Sequence, residues 1–150
     1  MLRYRLREAE RAYFPRPDGM NPTLHALLIQ RGIDSAEAAR RYLNPSAEQL
    51  RDPMLLNDMP AAVAMIRAAL ADGAPICVYG DYDVDGVSAS AILGDYLRSL
   101  GGQVEVYLPS RHREGYGLNE AAVRAIAGRA KLMVTVDCGV TSVALVALAK

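Results

Sequence analysis

Between Gly80 and Gly86 the chain reads Gly-Asp-Tyr-Asp-Val-Asp-Gly, which places three carboxylates, Asp81, Asp83 and Asp85, within five residues. Carboxylates this close repel one another unless a cation neutralises them. An all-oxygen donor set of this kind suits a hard dication such as Mg²⁺ or Mn²⁺. A fourth acid, Asp137, follows the apolar run from Leu132 to Val136. If both acidic positions leave the same edge of one sheet, their carboxylates can share a metal ion.

Blander and sharper alternatives are open to the same residues. An Asp in a loop between strand and helix is often a helix N-cap or a turn former. The spacing Asp81-x-Asp83-x-Asp85-Gly86 matches the first half of an EF-hand calcium loop, but the twelfth position, which needs a bidentate Glu, is Ile92. A strand also precedes the loop where an EF-hand needs a helix. Asp83-Val84-Asp85-Gly86 is similar to the nucleophile pattern of haloacid-dehalogenase-type phosphatases. There the apolar strand runs directly into the nucleophile, whereas here it runs into Asp81, two residues early.

The elements that must hold these acids follow from periodicity. Ile76 to Tyr79 is a short run of β-formers leading into the acidic loop, and a helical stretch runs from about Val87 to Leu100, stopped by Gly101-Gly102. Val104 to Leu108 reads as a second strand, Asn119 caps a helix through Ile126, and Leu132 to Val136 reads as a third strand. Alternating strand and helix predicts an α/β fold: an open parallel sheet with flanking helices, Rossmann-like and three-layered. Ligands of such sheets bind beyond the carboxyl ends of the strands, where the acids fall. Residues 1–59 read differently. Five of the eight prolines lie there, among short helices that start at Asn21-Pro22 and Ser35. The expected organisation is a helical lead-in, 1–59, followed by an α/β domain, 60–150, whose first helix covers Ala61 to Leu70.

Composition narrows the class without naming a partner. The 150 residues allow one packed core, and 51% hydrophobic with 23% charged residues is ordinary for a globular chain. Seventeen basic and seventeen acidic side chains cancel, so any nucleic-acid binding must come from a local patch. Cys77 and Cys138 have no metal or redox spacing and are read as reduced and structural. The opening octapeptide alternates charged and apolar residues, unlike a signal peptide, and no window approaches a membrane span. A cytoplasmic location is expected.

Beyond these readings, several separate motifs resemble the DHH phosphoesterase family in the family's own order. Gly80 to Ser90 is similar to its first motif and Val136-Asp137-Cys138-Gly139-Val140-Thr141 to a later one. Between them, Pro109-Ser110-Arg111 and Glu114-Gly115-Tyr116-Gly117-Leu118 resemble its Pro-x-Arg and Gly-Tyr-Gly elements. The lead-in is similar through Pro22-Thr23-Leu24, Gln30-Arg31-Gly32-Ile33 and Asp52-Pro53. The resemblance implies a two-metal phosphodiesterase that uses Mn²⁺ or Mg²⁺, and its closest wording belongs to the members that digest single-stranded DNA from the 5′ end in recombination and repair. It makes Asp83, Asp85 and Asp137 metal ligands, Asp81 a supporting acid or a ligand of the second ion, and Arg111 the contact for the terminal phosphate of DNA. Gly86 would let the backbone turn tightly behind the carboxylates. His112 reads as a solvated loop residue and His25 as structural. Tyr116 is open between stacking on a base and anchoring its loop.

One departure stands out: the Asp-His-His triplet that names the family is absent from these 150 residues. The helical run from Ser142 to Ala149 carries no stop signal, so the sequence reads as a segment of a longer exonuclease. The other reading is a degenerate, non-catalytic DHH module that binds a metal, a nucleotide or a protein partner.

Overall fold

The computed structural model describes residues 14–150; the opening octapeptide lies outside them. Two compact units divide the chain, Met1–Asp52 and Pro53–Lys150.

In the first unit, helix α1 (Pro22–Gln30) starts where Asn21 Oδ1 accepts the Thr23 N–H at 2.8 Å, with Pro22 in the first turn. Helix α2 (Ala36–Leu43) starts where Ser35 Oγ accepts the Ala38 N–H at 3.1 Å. Their inward faces bury Leu28 and Ala39 with Phe14, supported by Met20, Leu24, Ile29 and Ile33. His25 is structural here: Nε2 lies 3.0 Å from the Phe14 carbonyl oxygen, and its ring meets that of Phe14 edge-on.

The second unit is an α/β sandwich. After helix α3 (Met59–Ala71) come strand β1 (Ile76–Tyr79), helix α4 (Val84–Ser99), strand β2 (Val104–Tyr107), helix α5 (Glu120–Ala127), strand β3 (Leu132–Thr135) and helix α6 (Val143–Ala149). The three strands are parallel in the order β2-β1-β3, with Tyr79 in register with both Tyr107 and Thr135. Four consecutive buried residues make β1 the centre of the sheet, as an uninterrupted apolar run requires of a strand covered on both faces. Strand alternation sends its residues to two cores. Ile76 and Val78 pack with Ala69 and Leu97 from α3 and α4, while Cys77 and Tyr79 pack with Leu118, Ala122, Val123 and Ile126 around α5. Both cysteines are free thiols. Among the described residues no single helix is long and apolar enough to cross a membrane.

Two expectations change. Helix α4 begins at Val84 rather than near Val87, because Asp83 is its N-cap: extended at φ −83°, ψ 177°, it accepts the Gly86 N–H at 2.9 Å. Gly86 therefore does not turn the chain. It lies buried inside the first turn of α4, where an added Cβ would stand 2.5 Å from the Asp81 carbonyl oxygen and 2.6 Å from the Asp81 nitrogen. The glycine is required by that close approach.

Candidate functional site

The backbone of Asp81 lies against the start of α4, in the space that Gly86 leaves open. Gly80 meets the same helix at the Gly86 carbonyl oxygen and at Ser90, whose buried hydroxyl donates to that oxygen at 2.7 Å. Small residues at positions 80, 86 and 90 thus let the acidic loop press onto the helix. As a result the Asp81 side chain is fully buried. Neither of its carboxylate oxygens has a hydrogen-bond partner among the described residues, a costly state for an anion out of water.

The other acids gather around it. Asp83 caps α4 with Oδ1, leaving Oδ2 for another partner, and Asp85 stands in the first turn, where the helix dipole favours an anion. Because β1 and β3 are adjacent and parallel, Asp137 leaves the same sheet edge. Its backbone is left-handed, with φ 56°, a conformation that Asp tolerates better than most residues. The carboxyl of Asp83 lies within hydrogen-bonding reach of Asp137, whose pKa, although the residue is exposed, is pushed up by partial loss of hydration and then by the charges of Asp83 and Asp85. The Tyr116 phenol, although largely exposed, is pushed up by a partial loss of hydration and then by the charges of Asp81 and Asp137. Lost hydration also raises the Cys138 thiol, with Asp81 and Asp137 adding to it.

Facing the acids across an open cleft of about 430 Å³ is Arg111, with Tyr82, Asp83, Val84 and Asp85 forming the rest of the lining. Its guanidinium carbon sits 4.5 Å from the Tyr82 ring centroid, a cation–π contact. Among the described residues no carboxylate forms an ion pair with it. Tyr116 lies edge-on to Tyr82 with centroids 6.3 Å apart, and 69% of it is exposed, so it does not anchor its loop by burial. His112 is exposed in a turn. Tyr82 was not singled out by sequence reasoning, although an aromatic residue between two acids was the available signal.

The donor set fits a hard dication in kind: carboxylate oxygens only, with both oxygens of Asp81 buried without a partner. Among the described residues, however, no three His, Cys, Asp or Glu side chains converge closely enough to enclose an ion by themselves. Of the four acids, Asp83 and Asp137 come within hydrogen-bonding reach of each other.

Fold and site together define an α/β domain with carboxylates concentrated beyond its strand ends and an arginine opposite them. The chain belongs to the DHH family: residues 75–150 match the family's N-terminal domain. It is similar to the single-stranded-DNA-specific exonuclease RecJ of Bacillus subtilis, 39% identical over 125 residues that cover 83% of this chain and 16% of that protein. RecJ of Thermus thermophilus is 39% identical over 98 residues, 63% of this chain and 15% of that protein. Two solved structures align with it. One is a manganese-bound exonuclease RecJ, with TM-score 0.58 and 40% identity over 61% of this chain and 24% of the other. The second is Thermus thermophilus RecJ in complex with Mn²⁺, with TM-score 0.53 and 30% identity over 83% and 16%. The chain thus spans a quarter or less of the length of these relatives.

Proposed function

We propose that this chain supplies the acidic part of a metal-dependent phosphodiesterase that digests single-stranded DNA from the 5′ end, in cytoplasmic recombination and repair. The observation that carries the reading is Asp81. A buried carboxylate without a hydrogen-bond donor is stabilised by a cation, and no Lys or Arg of the described residues pairs with it. Asp81, Asp83, Asp85 and Asp137 would hold Mn²⁺ or Mg²⁺, with two ions in the complete protein. Bound there, such ions supply an activated water and stabilise charge on phosphoryl oxygens.

The chain's own residues do the rest. Arg111, across the cleft from the acids, binds the terminal phosphate through two parallel N–H bonds, and the exposed ring of Tyr116 offers a face on which a base can stack. The cap on Gly86 fixes the rotamer of Asp83 and keeps its second oxygen available. In this reading residues 1–59 are a helical lead-in, and residues 60–150 form a DHH-type domain whose site is completed by histidines that these residues lack.

Calorimetry with Mn²⁺ and a labelled single strand tests this on residues 1–150 and on the full gene product. The segment is expected to bind Mn²⁺ weakly and to cleave poorly, because carboxylates that do not enclose one ion among the described residues do not hold two at the roughly 3.5–4 Å that catalysis needs, and a neutral chain makes few phosphate contacts. Metal-dependent cleavage of single-stranded over duplex DNA is expected of the full gene product. Metal binding without cleavage there would favour the non-catalytic module. Tight binding of two ions and rapid cleavage by residues 1–150 would show that other residues carry the chemistry.

A further inference from the structure

Arg111 and Tyr116 sit on one loop, 108–119, between β2 and α5, and a single carboxylate closes that loop. Glu114 Oε2 accepts the Ser110 N–H at 2.7 Å, immediately before Arg111. Its Oε1 accepts both the Tyr107 hydroxyl and, at 3.1 Å, the Asn119 side-chain N–H. Asn119 in turn caps α5 by accepting the Ala122 N–H at 2.8 Å and donates to the Tyr79 hydroxyl at 3.3 Å, which itself donates to the Gly117 carbonyl oxygen at 3.0 Å. The tyrosines are rooted in the sheet, with stacked rings 5.1 Å apart. Both ends of the loop are therefore tied through Glu114 to β2 and, by way of Asn119, to β1, the strand that leads into the acidic loop. Between the ties, Gly115 and Gly117 take φ of +77° and +76° with open space around them, so the backbone alone gives little rigidity there.

We propose that Glu114 is a positioning residue: by tying the ends of the 108–119 loop together it holds Arg111 over Tyr82, in place to receive a terminal phosphate. The inference rests on the reading of Arg111 as a phosphate contact. Three donors converge on two carboxylate oxygens, and the neutral amide of Gln keeps only one acceptor atom, so one donor must face another donor. The hydrogen-bonded carboxylate is also held below the ordinary Glu range, first by the Ser110 N–H and then by Tyr107, as an anion held by donors should be.

The test is NMR of the chain. A guanidinium over an aromatic face has ring-shifted resonances, and the Arg111 signals are assigned by their loss in Arg111→Lys. Glu114→Gln is expected to move those signals most of the way to free-arginine positions while the core resonances of Tyr79 and Val78 stay put. Tyr107→Phe, which removes one donor, should move them less in the same direction and serves if Glu114→Gln fails to fold. Titration with thymidine 5′-monophosphate against thymidine should show a phosphate preference at Arg111, weakened roughly fivefold in Glu114→Gln. Ring-shifted Arg111 signals that persist in both variants would overturn the proposal. Signals that move as expected, in a wild type that never prefers the phosphate, would support the clamp and reject the phosphate role.

Discussion

The loops after β1 and β2 leave the same sheet edge and solve opposite problems. After β1, the chain enters α4 within four residues and presents carboxylates that repel one another, one of them buried without a donor. After β2, a twelve-residue connection satisfies its one central carboxylate three times over and leaves a guanidinium without an ion-pair partner among the described residues. The first loop leaves charge uncompensated and relies on close backbone packing to stay in place. The second uses hydrogen bonds to hold a cation in place. On the proposed reading, an edge built this way would receive a ligand that carries both a dication and an anion, as a metal-bound phosphate does.

The largest expected effect is on the acidic side. Asp85→Ala, Asp83→Asn and Asp137→Asn in the full gene product should each lower metal-dependent nuclease turnover by at least about a hundredfold, the range expected when metal coordination is disturbed, with circular dichroism unchanged. Asn is chosen at position 83 because it still caps a helix, and at position 137 because it tolerates left-handed backbone. Wild-type turnover in any of them would break the contrast between the two loops.

Packing comes next. Gly86→Ala must force apart α4 and the backbone of Asp81, so urea unfolding should show a loss of about 1–3 kcal/mol. Asn119→Ala removes the α5 cap and a link to Glu114, at a cost of about 1 kcal/mol on the same measurement. An unchanged stability in Gly86→Ala would mean that the acidic loop is not held by close approach.

The smallest effect tests charge directly. The Asp137 carboxyl binds its proton more tightly in the folded chain than in the unfolded one, so its contribution favours folding as pH falls and opposes folding as pH rises through and above the carboxylate range. Without divalent ions, Asp137→Asn should hold or raise Tm by about one degree near neutral pH, and the difference should vanish in acid. Added Mn²⁺ should raise Tm in the wild type more than in this variant. A variant that is less stable at neutral pH would show that Asp137 is not under repulsion.

Much of this was readable along the chain because the relevant forces are local. The cap residues Asn21, Ser35 and Asn119 stand next to the N–H groups they satisfy, and the β-formers from Ile76 to Tyr79 lie between strong breakers, so those boundaries match the structure. The start of α4 was misplaced for a local reason too: an N-cap was an open reading of these acids, but three of them at alternating positions left undecided that Asp83 is the one that caps.

What the sequence determined by itself is the family and the fold class: carboxylates at strand ends, family motifs in order, and helices and strands in alternation. Only the tertiary structure decided which acid is buried, that β1 and β3 are neighbours, and that Arg111 lies over Tyr82 within a loop tied by Glu114. Strand order and burial come from packing between residues far apart in the chain, and a hydrogen-bond network such as Tyr79–Asn119–Glu114–Tyr107 has no periodicity for a sequence to display.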